Sequence, residues 1–210
     1  MTEEYARQLE SVKPKSIIRL SLALSFVSFI LALFAAVARK GVKGLSFDIS
    51  LTGILIFILG YLLLLAVHEA LHAASFLIVG KVKKKEISFG ANLRNGLLYC
   101  HLKTPLKPKA YAICLLVPVL LTGIIPLIVF TLIGHINYIL LFSLLVSGGA
   151  GDLLMFYKVR RVPKDALISD HPYAPAFYVV YEKGREPAGF RYVTAEQEER
   201  LAREYGKKRR

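Results

Sequence analysis

Residues 51–72 read LTGILIFILGYLLLLAVHEALH, and this stretch decides both the fold class and the candidate site. The part before the first histidine carries no charge, and the apolar run continues as far as Gly80. About 20 consecutive apolar residues are enough for a helix to cross the hydrocarbon core of a bilayer. The stretch therefore predicts a membrane-spanning helix that carries two histidines and a glutamate.

Three other apolar runs predict three more spans. The uncharged run 111–151 is too long for a single helix, and the Gly134-His135 turn divides it into two antiparallel helices. Pro118 and Pro126 predict a kink in the first of these two helices. The four predicted spans are Ile17–Ala38, Ile49–Gly80, Tyr111–Ile133 and Ile136–Tyr157.

The composition indicates the same class of protein. Hydrophobic residues make up 55% of the 210 residues and are gathered in these runs, which excludes a disordered chain and a coiled coil. The two cysteines, Cys100 and Cys114, are too few for a disulfide scaffold. We therefore predict an all-α polytopic membrane protein with four transmembrane helices, a cytoplasmic β-hairpin and a short mixed C-terminal tail.

The net charge of +13 lies mostly beside the predicted spans. The 81–109 loop holds eight basic residues and one acidic residue, whereas the 134–137 turn holds no lysine or arginine. Because basic loops stay on the cytoplasmic side, we expect a multi-pass protein of the cell membrane with this loop and both termini in the cytoplasm. Anionic lipid headgroups account for the basic excess, so we predict the lipid bilayer as a partner and no nucleic acid.

The polar segments divide the chain into three predicted regions. They are a cytoplasmic N-terminal segment at 1–16, a four-helix transmembrane core at 17–157 that includes the 81–109 loop, and a cytoplasmic tail at 158–210.

Short secondary-structure patterns occur within the loop and the tail. In the loop, Glu86–Phe89 and Leu97–Leu102 are prone to form strands, and Asn95-Gly96 between them predicts a β-hairpin. In the tail, Phe177–Tyr181 predicts a strand. Thr194–Tyr205 predicts an amphipathic helix that begins with a capping box formed by Thr194 and Gln197.

The candidate chemistry lies in His68-Glu69-Ala70-Leu71-His72. Histidines four positions apart lie on one face of a helix, so His68 and His72 can bind one metal ion. Zinc suits two imidazoles, and Glu69 beside them can take a proton from a zinc-bound water. The alternative is a helix whose hydrophilic end holds these residues without a metal. Three ionisable groups in one turn of an apolar helix are costly, which favours the metal site.

A zinc site needs a third protein ligand, and Asp152 is the first candidate. Besides Glu69 it is the only acidic residue within the four predicted spans, and small residues (Ser147–Gly151) precede it and let another helix approach. The alternative for Asp152 is an aspartate at a helix end that contacts headgroups or pairs with Arg160 or Arg161. Glu86 and His101 are the next candidates for the third ligand.

The order of these features resembles two groups of membrane proteins. An H-E-x-x-H span, a basic loop with a hairpin, a span with prolines and a later Gly151-Asp152 are similar to the three-helix core of site-2 proteases, which are intramembrane zinc metalloproteases. The resemblance is closer to a prokaryotic membrane family labelled putative zincin peptidases, and it covers about residues 50–185. It implies that His68, His72 and Asp152 hold Zn²⁺ and that Glu69 is the catalytic base. Site-2 proteases usually carry Asp-Gly at the third ligand, whereas Leu153 follows Asp152 here.

These observations predict a membrane-embedded zinc endopeptidase that cuts a membrane or membrane-proximal protein near the cytoplasmic face. The hairpin between residues 86 and 102 could hold an unwound substrate strand at its edge, with Asn92 and Asn95 as backbone partners. One alternative is a non-catalytic membrane protein with a structural or regulatory metal, or a protease-like scaffold that binds a partner helix. Another is a membrane peptidase of the prenyl-protein type, which needs a larger cavity.

Overall fold

The structure is mainly helical, with two small sheets. A computed structural model describes residues 5–92 and 97–205, with Asn92 and Leu97 described by their backbone alone. Helix accounts for 62% of it, which confirms the predicted helical character but makes "all-α" too narrow. The helices are α1 (Pro14–Lys40), α2 (Leu51–Ile78), α3 (Pro108–Pro118), α4 (Ile125–Ile133), α5 (Ile136–Gly148), α6 (Ala150–Val159) and α7 (Ala195–Glu204). The strands are β1 (Tyr5–Ser11), β2 (Ile87–Asn92), β3 (Leu97–Leu102), β4 (Leu167–Asp170) and β5 (Ala176–Glu182).

Three helices within the described residues are long and apolar enough to cross a membrane. They are α1, α2 and the continuous helix Pro108–Ile133, which contains α3 and α4. Helices α5 and α6 form a fourth candidate span if they count as one helix, but they are bent by 40° where they meet. The predicted runs coincide with these helices, although each helix begins or ends a few residues away from its predicted bounds.

At the position of the predicted kink, the third helix contains a π-helical turn. Helix α3 ends at Pro118, and residues Val119–Ile124 form the π-helical segment before α4 begins. A proline inside a helix cannot donate to the carbonyl four residues earlier, and a π-turn is one way in which a helix accommodates the lost bond. Pro126 lies in the first turn of α4, where its missing N–H removes no bond within that helix.

The break in the fourth predicted span lies at Gly149, which packs against the π-turn. A Cβ atom added at Gly149 would lie 2.6 Å from Cγ2 of Val119, whereas one added at Gly148 or Gly151 would meet nothing within 4 Å. The expectation that all three glycines make room for a neighbouring helix is therefore wrong. Only Gly149 does so, and its neighbour is the third helix rather than the second.

The predicted β-hairpin is present, and its first strand is longer than expected. Strands β2 and β3 pair antiparallel from Ile87 opposite Leu102 to Asn92 opposite Leu97. The strand β2 therefore includes Gly90, Ala91 and Asn92, which the sequence assigned to the turn. The Asn95-Gly96 turn lies outside the described residues, as do the side chains of Asn92 and Asn95.

A second sheet joins the two ends of the chain. Its strand order is β1-β5-β4, and both pairs are antiparallel. The sequence predicted β5 and the α7 capping box, and both are confirmed. It did not predict β1 or β4. Because β1 pairs with β5, the N-terminal segment and the tail pack together rather than separately. Lys158 at the end of α6 adds an ion pair with Glu10 of β1, at 2.6 Å.

One hydrophobic cluster fastens this sheet to the helices and the hairpin. Leu102 of the hairpin, Tyr111 of α3 and Phe177 of β5 are each at most 1% exposed and belong to the same cluster. A two-way backbone bridge between Leu106 and Ile168, with N···O distances of 2.8 and 2.7 Å, adds a direct link. The three-stranded sheet therefore packs beside the hairpin, at the end of α2 and the start of α3.

We predict that Gly149→Ala lowers the melting temperature of the detergent-solubilised protein and that Gly148→Ala does not. The backbone at Gly149 has φ −75°, which alanine adopts freely, so the cost comes from the contact with the branched Val119. Overpacking of this kind costs about 1–3 kcal/mol. Thermal unfolding of both variants tests this, and equal melting temperatures would show that the π-turn gives way without cost.

Candidate metal centre

The two histidines of the H-E-x-x-H motif lie side by side on the buried face of α2. His68 is 7% exposed and His72 is 6% exposed, and their ring centroids are 5.1 Å apart. Each is surrounded by apolar helices, where a polar ring needs partners for both of its nitrogens. The partners of the two outer nitrogens come from the third helix.

The Nδ1 atom of each ring is held by an oxygen atom. His68 Nδ1 lies 3.0 Å from the Thr122 hydroxyl oxygen, and His72 Nδ1 lies 3.0 Å from the Cys114 carbonyl oxygen. A carbonyl can only accept, so His72 carries its proton on Nδ1. The Thr122 hydroxyl donates its one proton to the Pro118 carbonyl at 2.8 Å, so it accepts from His68. Both Nε2 atoms are then left to converge on a shared ligand.

Pro118 explains why the third helix can provide these partners. In a regular helix the N–H of residue 118 would donate to the carbonyl of residue 114. Proline has no N–H, so the Cys114 carbonyl is free to accept from His72. Such outer contacts fix the tautomer and orientation of imidazoles that bind metals. The sequence predicted Pro118 as a kink, and the structure also gives it this role in the site.

Asp152 lies against both imidazoles. Its Oδ2 atom is 3.1 Å from His68 Nε2, and its Oδ1 atom is 3.3 Å from His72 Nε2. The structure thus brings together the three residues that the sequence proposed as metal ligands. The alternative pairing with arginine is not observed, since Arg160 and Arg161 instead lie over the Tyr157 ring at 4.7 and 4.2 Å. Whether these residues bind a metal stays a prediction.

The spacing of these atoms fits zinc. Donor atoms about 2.0–2.2 Å from a tetrahedral zinc ion lie roughly 3.3 Å from one another. The contacts between Asp152 and the two Nε2 atoms have this length, and two imidazoles with one carboxylate are a donor set that zinc prefers. The residues present therefore fit the ion that the sequence implies.

Glu69 is a second carboxylate at the same place. Potential ligand atoms of His68, Glu69 and His72 all lie within 4.8 Å of one another, so geometry alone allows Glu69 as a ligand. Asp152 is the better ligand because each of its oxygens already contacts one Nε2. Glu69 is then left beside the site, as a base needs to be.

A cavity of about 330 Å³ opens onto these residues and extends to the segment that follows β4. Its walls come from α1, α2, α3, the hairpin, the helices α5 and α6, and the tail. The tail contribution was not predicted, because the sequence placed 158–210 in a separate region. The residues it brings into the cavity wall include Asp170, His171 and Tyr173.

The other candidates of the sequence analysis lie at different distances from the site. His101 of β3 lines the same cavity, whereas Glu86 accepts a hydrogen bond from the Thr104 hydroxyl at 2.9 Å. His135 lies at the α4–α5 turn, against Tyr138. His171 follows Asp170 directly after β4 and donates its N–H to the Asp170 carboxylate, and burial lowers the pKa of its ring.

Sequence reasoning missed Thr122, the Cys114 carbonyl and Asp170. Thr122 carried a usable signal, because it is a polar residue in an apolar run, four positions after a proline. The Cys114 carbonyl could be found from Pro118 by the same helical spacing. Asp170 had no such signal, since its role depends on a sheet formed by the two ends of the chain.

The chain is similar to a known protein family. A family model described as "Putative zincin peptidase" matches residues 61–167, which is half of the chain and includes the two histidines, Glu69 and Asp152. Among curated proteins and solved structures, nothing matches.

We predict that Thr122→Val weakens zinc binding about 10- to 100-fold, the usual effect of losing a partner of a metal-binding histidine. Valine has the shape of threonine but leaves His68 Nδ1 without an acceptor. Thr131→Val is the matched control, since its hydroxyl makes the same kind of bond, to the Leu127 carbonyl at 2.7 Å, on the same helix. Competition with a chromogenic chelator measures both affinities, and equal values would contradict the assigned role of Thr122.

Proposed function

The chain belongs to the family described as putative zincin peptidases, and on this premise we propose that it is a membrane-embedded zinc metallopeptidase. Its substrate would be a membrane or membrane-proximal protein, cut near the cytoplasmic face. The observation that carries the proposal is the convergence of both Nε2 atoms of the H-E-x-x-H motif on the Asp152 carboxylate. The likeness to the core of site-2 proteases belongs to the same proposal.

Each residue of the site has a proposed role. His68, His72 and Asp152 would hold the zinc ion, which when bound supplies Lewis-acid chemistry that acidifies a water and polarises a carbonyl. Glu69 accepts the proton of the attacking water and then gives it to the leaving amine. Thr122 and the Cys114 carbonyl keep both imidazoles in the orientation that this chemistry needs.

The surfaces of the long helices support the membrane part of the proposal. Large apolar side chains on α1 and α2 are widely exposed, including Phe34 at 72%, Leu59 at 64% and Leu63 at 64%. Contiguous apolar surface of this extent is rare on soluble monomers and indicates contact with lipid or another protein. The basic 81–109 loop lies at one end of these helices, as the positive-inside rule expects for a cytoplasmic face.

The position of the hairpin favours a substrate-binding site beside β3. Strand β3 lines the cavity with Leu98, Tyr99, Cys100 and His101. An extended substrate segment beside β3 would then lie next to Glu69 and the metal ligands.

We predict that the purified wild-type protein binds about one zinc ion per chain and cleaves an unfolded protein such as casein. Glu69→Gln should keep the zinc but lose about 100-fold or more of the activity, because the base is gone. His72→Ala should lose both. Elemental analysis and a fluorogenic casein assay measure the two properties, with His135→Ala as the control that keeps both.

Two results would separate the proposal from its alternative. A wild-type protein that takes up no divalent metal at neutral pH contradicts the metallopeptidase. A protein that holds zinc tightly and melts at a lower temperature without it, but whose Glu69→Gln variant is indistinguishable from wild type in every assay, supports a structural metal.

We further predict that cysteines introduced at Lys84 and Lys107 are labelled only after cells are permeabilised, and that a cysteine at His135 is labelled in intact cells. The wild-type chain is a suitable control with a membrane-impermeant maleimide. Cys114 is buried, and burial together with the Glu69 and Asp170 carboxylates raises the pKa of Cys100 to about 12. Since the thiolate is the form that reacts, Cys100 labels slowly. Labelling of position 84 in intact cells would reverse the orientation.

A further inference from the structure

Asp170, at the end of β4, is a partly buried carboxylate that takes part in four hydrogen bonds. Its Oδ2 atom accepts from the Leu102 N–H at 3.1 Å and lies 3.2 Å from His101 Nδ1. Its Oδ1 atom accepts from the Tyr111 hydroxyl at 2.8 Å and from the His171 N–H at 3.1 Å. Two oxygens with two acceptor sites each are thereby saturated. Hydrogen bonds to the hairpin, to α3 and to the residue that follows its own strand therefore hold this carboxylate in one place.

The position of Asp170 fixes the His101 ring. An ionised carboxylate can only accept, so Nδ1 of His101 carries a proton and donates it to Asp170. Nε2 is then the ring nitrogen left to contact a ligand, as an acceptor in the neutral ring or as an N–H donor in the doubly protonated ring. At the metal centre, an oxygen on Nδ1 likewise leaves Nε2 of His68 and of His72, where Asp152 lies against both. Within the described residues, no carboxylate is paired with Nε2 of His101, since Asp170 lies at its Nδ1.

His101 and the metal centre share one cavity. His101, Glu69 and the two histidines of the metal centre all line the same 330 Å³ space, as does Cys100 next to His101 in β3. A peptide group bound in this cavity beside β3 would therefore share it with both Glu69 and His101.

We propose that His101 is a second catalytic residue, which donates a hydrogen bond from Nε2 to the oxygen of the scissile carbonyl, and that Asp170 is its positioning residue. This inference rests on the proposed peptidase function and adds to it the group that stabilises the transition state.

The proposed step is balanced in protons and electrons. The water oxygen forms a bond to the carbonyl carbon, its proton passes to Glu69, and the electron pair of the C=O double bond moves to the carbonyl oxygen. With a proton on both ring nitrogens, His101 donates from Nδ1 to Asp170 and from Nε2 to that oxygen, so its positive charge stabilises the negative charge there. When the pair returns, the C–N bond breaks and the amine leaves with the proton from Glu69. His101 ends as it began.

Two substitutions of His101 separate a catalytic role from a structural one. In His101→Asn the amide nitrogen takes the place of Nδ1. The hydrogen bond to Asp170 is therefore kept, but no donor remains at the position of Nε2. In His101→Gln the longer amide reaches the place of Nε2 and gives up the bond at Nδ1. His135→Asn, at the far turn, is the matched control for replacing a histidine.

For zinc-loaded protein and fluorogenic casein, we expect His101→Asn to lower kcat about 100-fold with little change in KM, since lost oxyanion donors act on kcat. His101→Gln should keep more of the kcat than His101→Asn, and both should keep one zinc ion per chain. If His101→Gln has a lower kcat than His101→Asn, His101 has a structural role and the proposal is overturned. Loss of zinc in His101→Asn would overturn it as well.

A binding measurement tests His101 without relying on turnover. A phosphinic peptide carries tetrahedral oxygens that imitate the transition state and is not hydrolysed. By titration calorimetry we expect its Kd on the zinc-loaded protein to rise at least 10-fold in His101→Asn and less in His101→Gln. Equal Kd values overturn the inference about His101. If the wild type binds this peptide but cleaves no casein, the proposed function fails while the same Kd comparison still decides the role of His101.

Discussion

Two imidazole rings can converge on one point inside an apolar bundle only if their outer nitrogens have partners of their own. Here both partners come from one short segment, residues 114–122, and both depend on Pro118. Its missing N–H leaves the Cys114 carbonyl for His72, and the π-turn that follows carries the Thr122 hydroxyl to His68. A buried N–H without an acceptor costs about 1–3 kcal/mol, so the irregular helix and the orientation of the rings stabilise each other.

The second irregularity of the bundle serves the same centre and touches the first. Gly149 interrupts the fourth predicted span, and α6 begins immediately after it with Asp152 in its first turn. A carboxylate is favourable there, because the first turn of a helix presents unpaired N–H groups and a partial positive charge. Gly149 lies against Val119 of the π-turn. The break that provides Asp152 is therefore packed on the turn that orients His68 and His72.

The sequence predicted the parts of this protein whose signals are local. Apolar runs gave the helices, and the spacing of His68 and His72 gave their shared face. The pairing of Asp152 with both histidines could be anticipated because so few acidic residues lie in the apolar runs. Strand β1 could not be predicted, since its stability comes from pairing with β5, as in Tyr5 opposite Glu182 at the other end of the chain. Asp170 was missed for the same reason, because only that sheet and the Leu106–Ile168 bridge bring it to the hairpin.

The family match covers only some of the residues that line the cavity. Residues 61–167 contain the metal centre, Glu69 and His101, but end three residues before Asp170 and leave out both β1 and β5. The matched part thus holds the candidate metal-binding residues, whereas the sheet beyond it forms one wall of the cavity. Because β1 pairs with β5 and β5 with β4, the N-terminal strand belongs to the sheet that positions Asp170, although it lies far from the metal centre in sequence. The geometry around His101 therefore depends on both ends of the chain, and the geometry around His68 and His72 depends on the third helix.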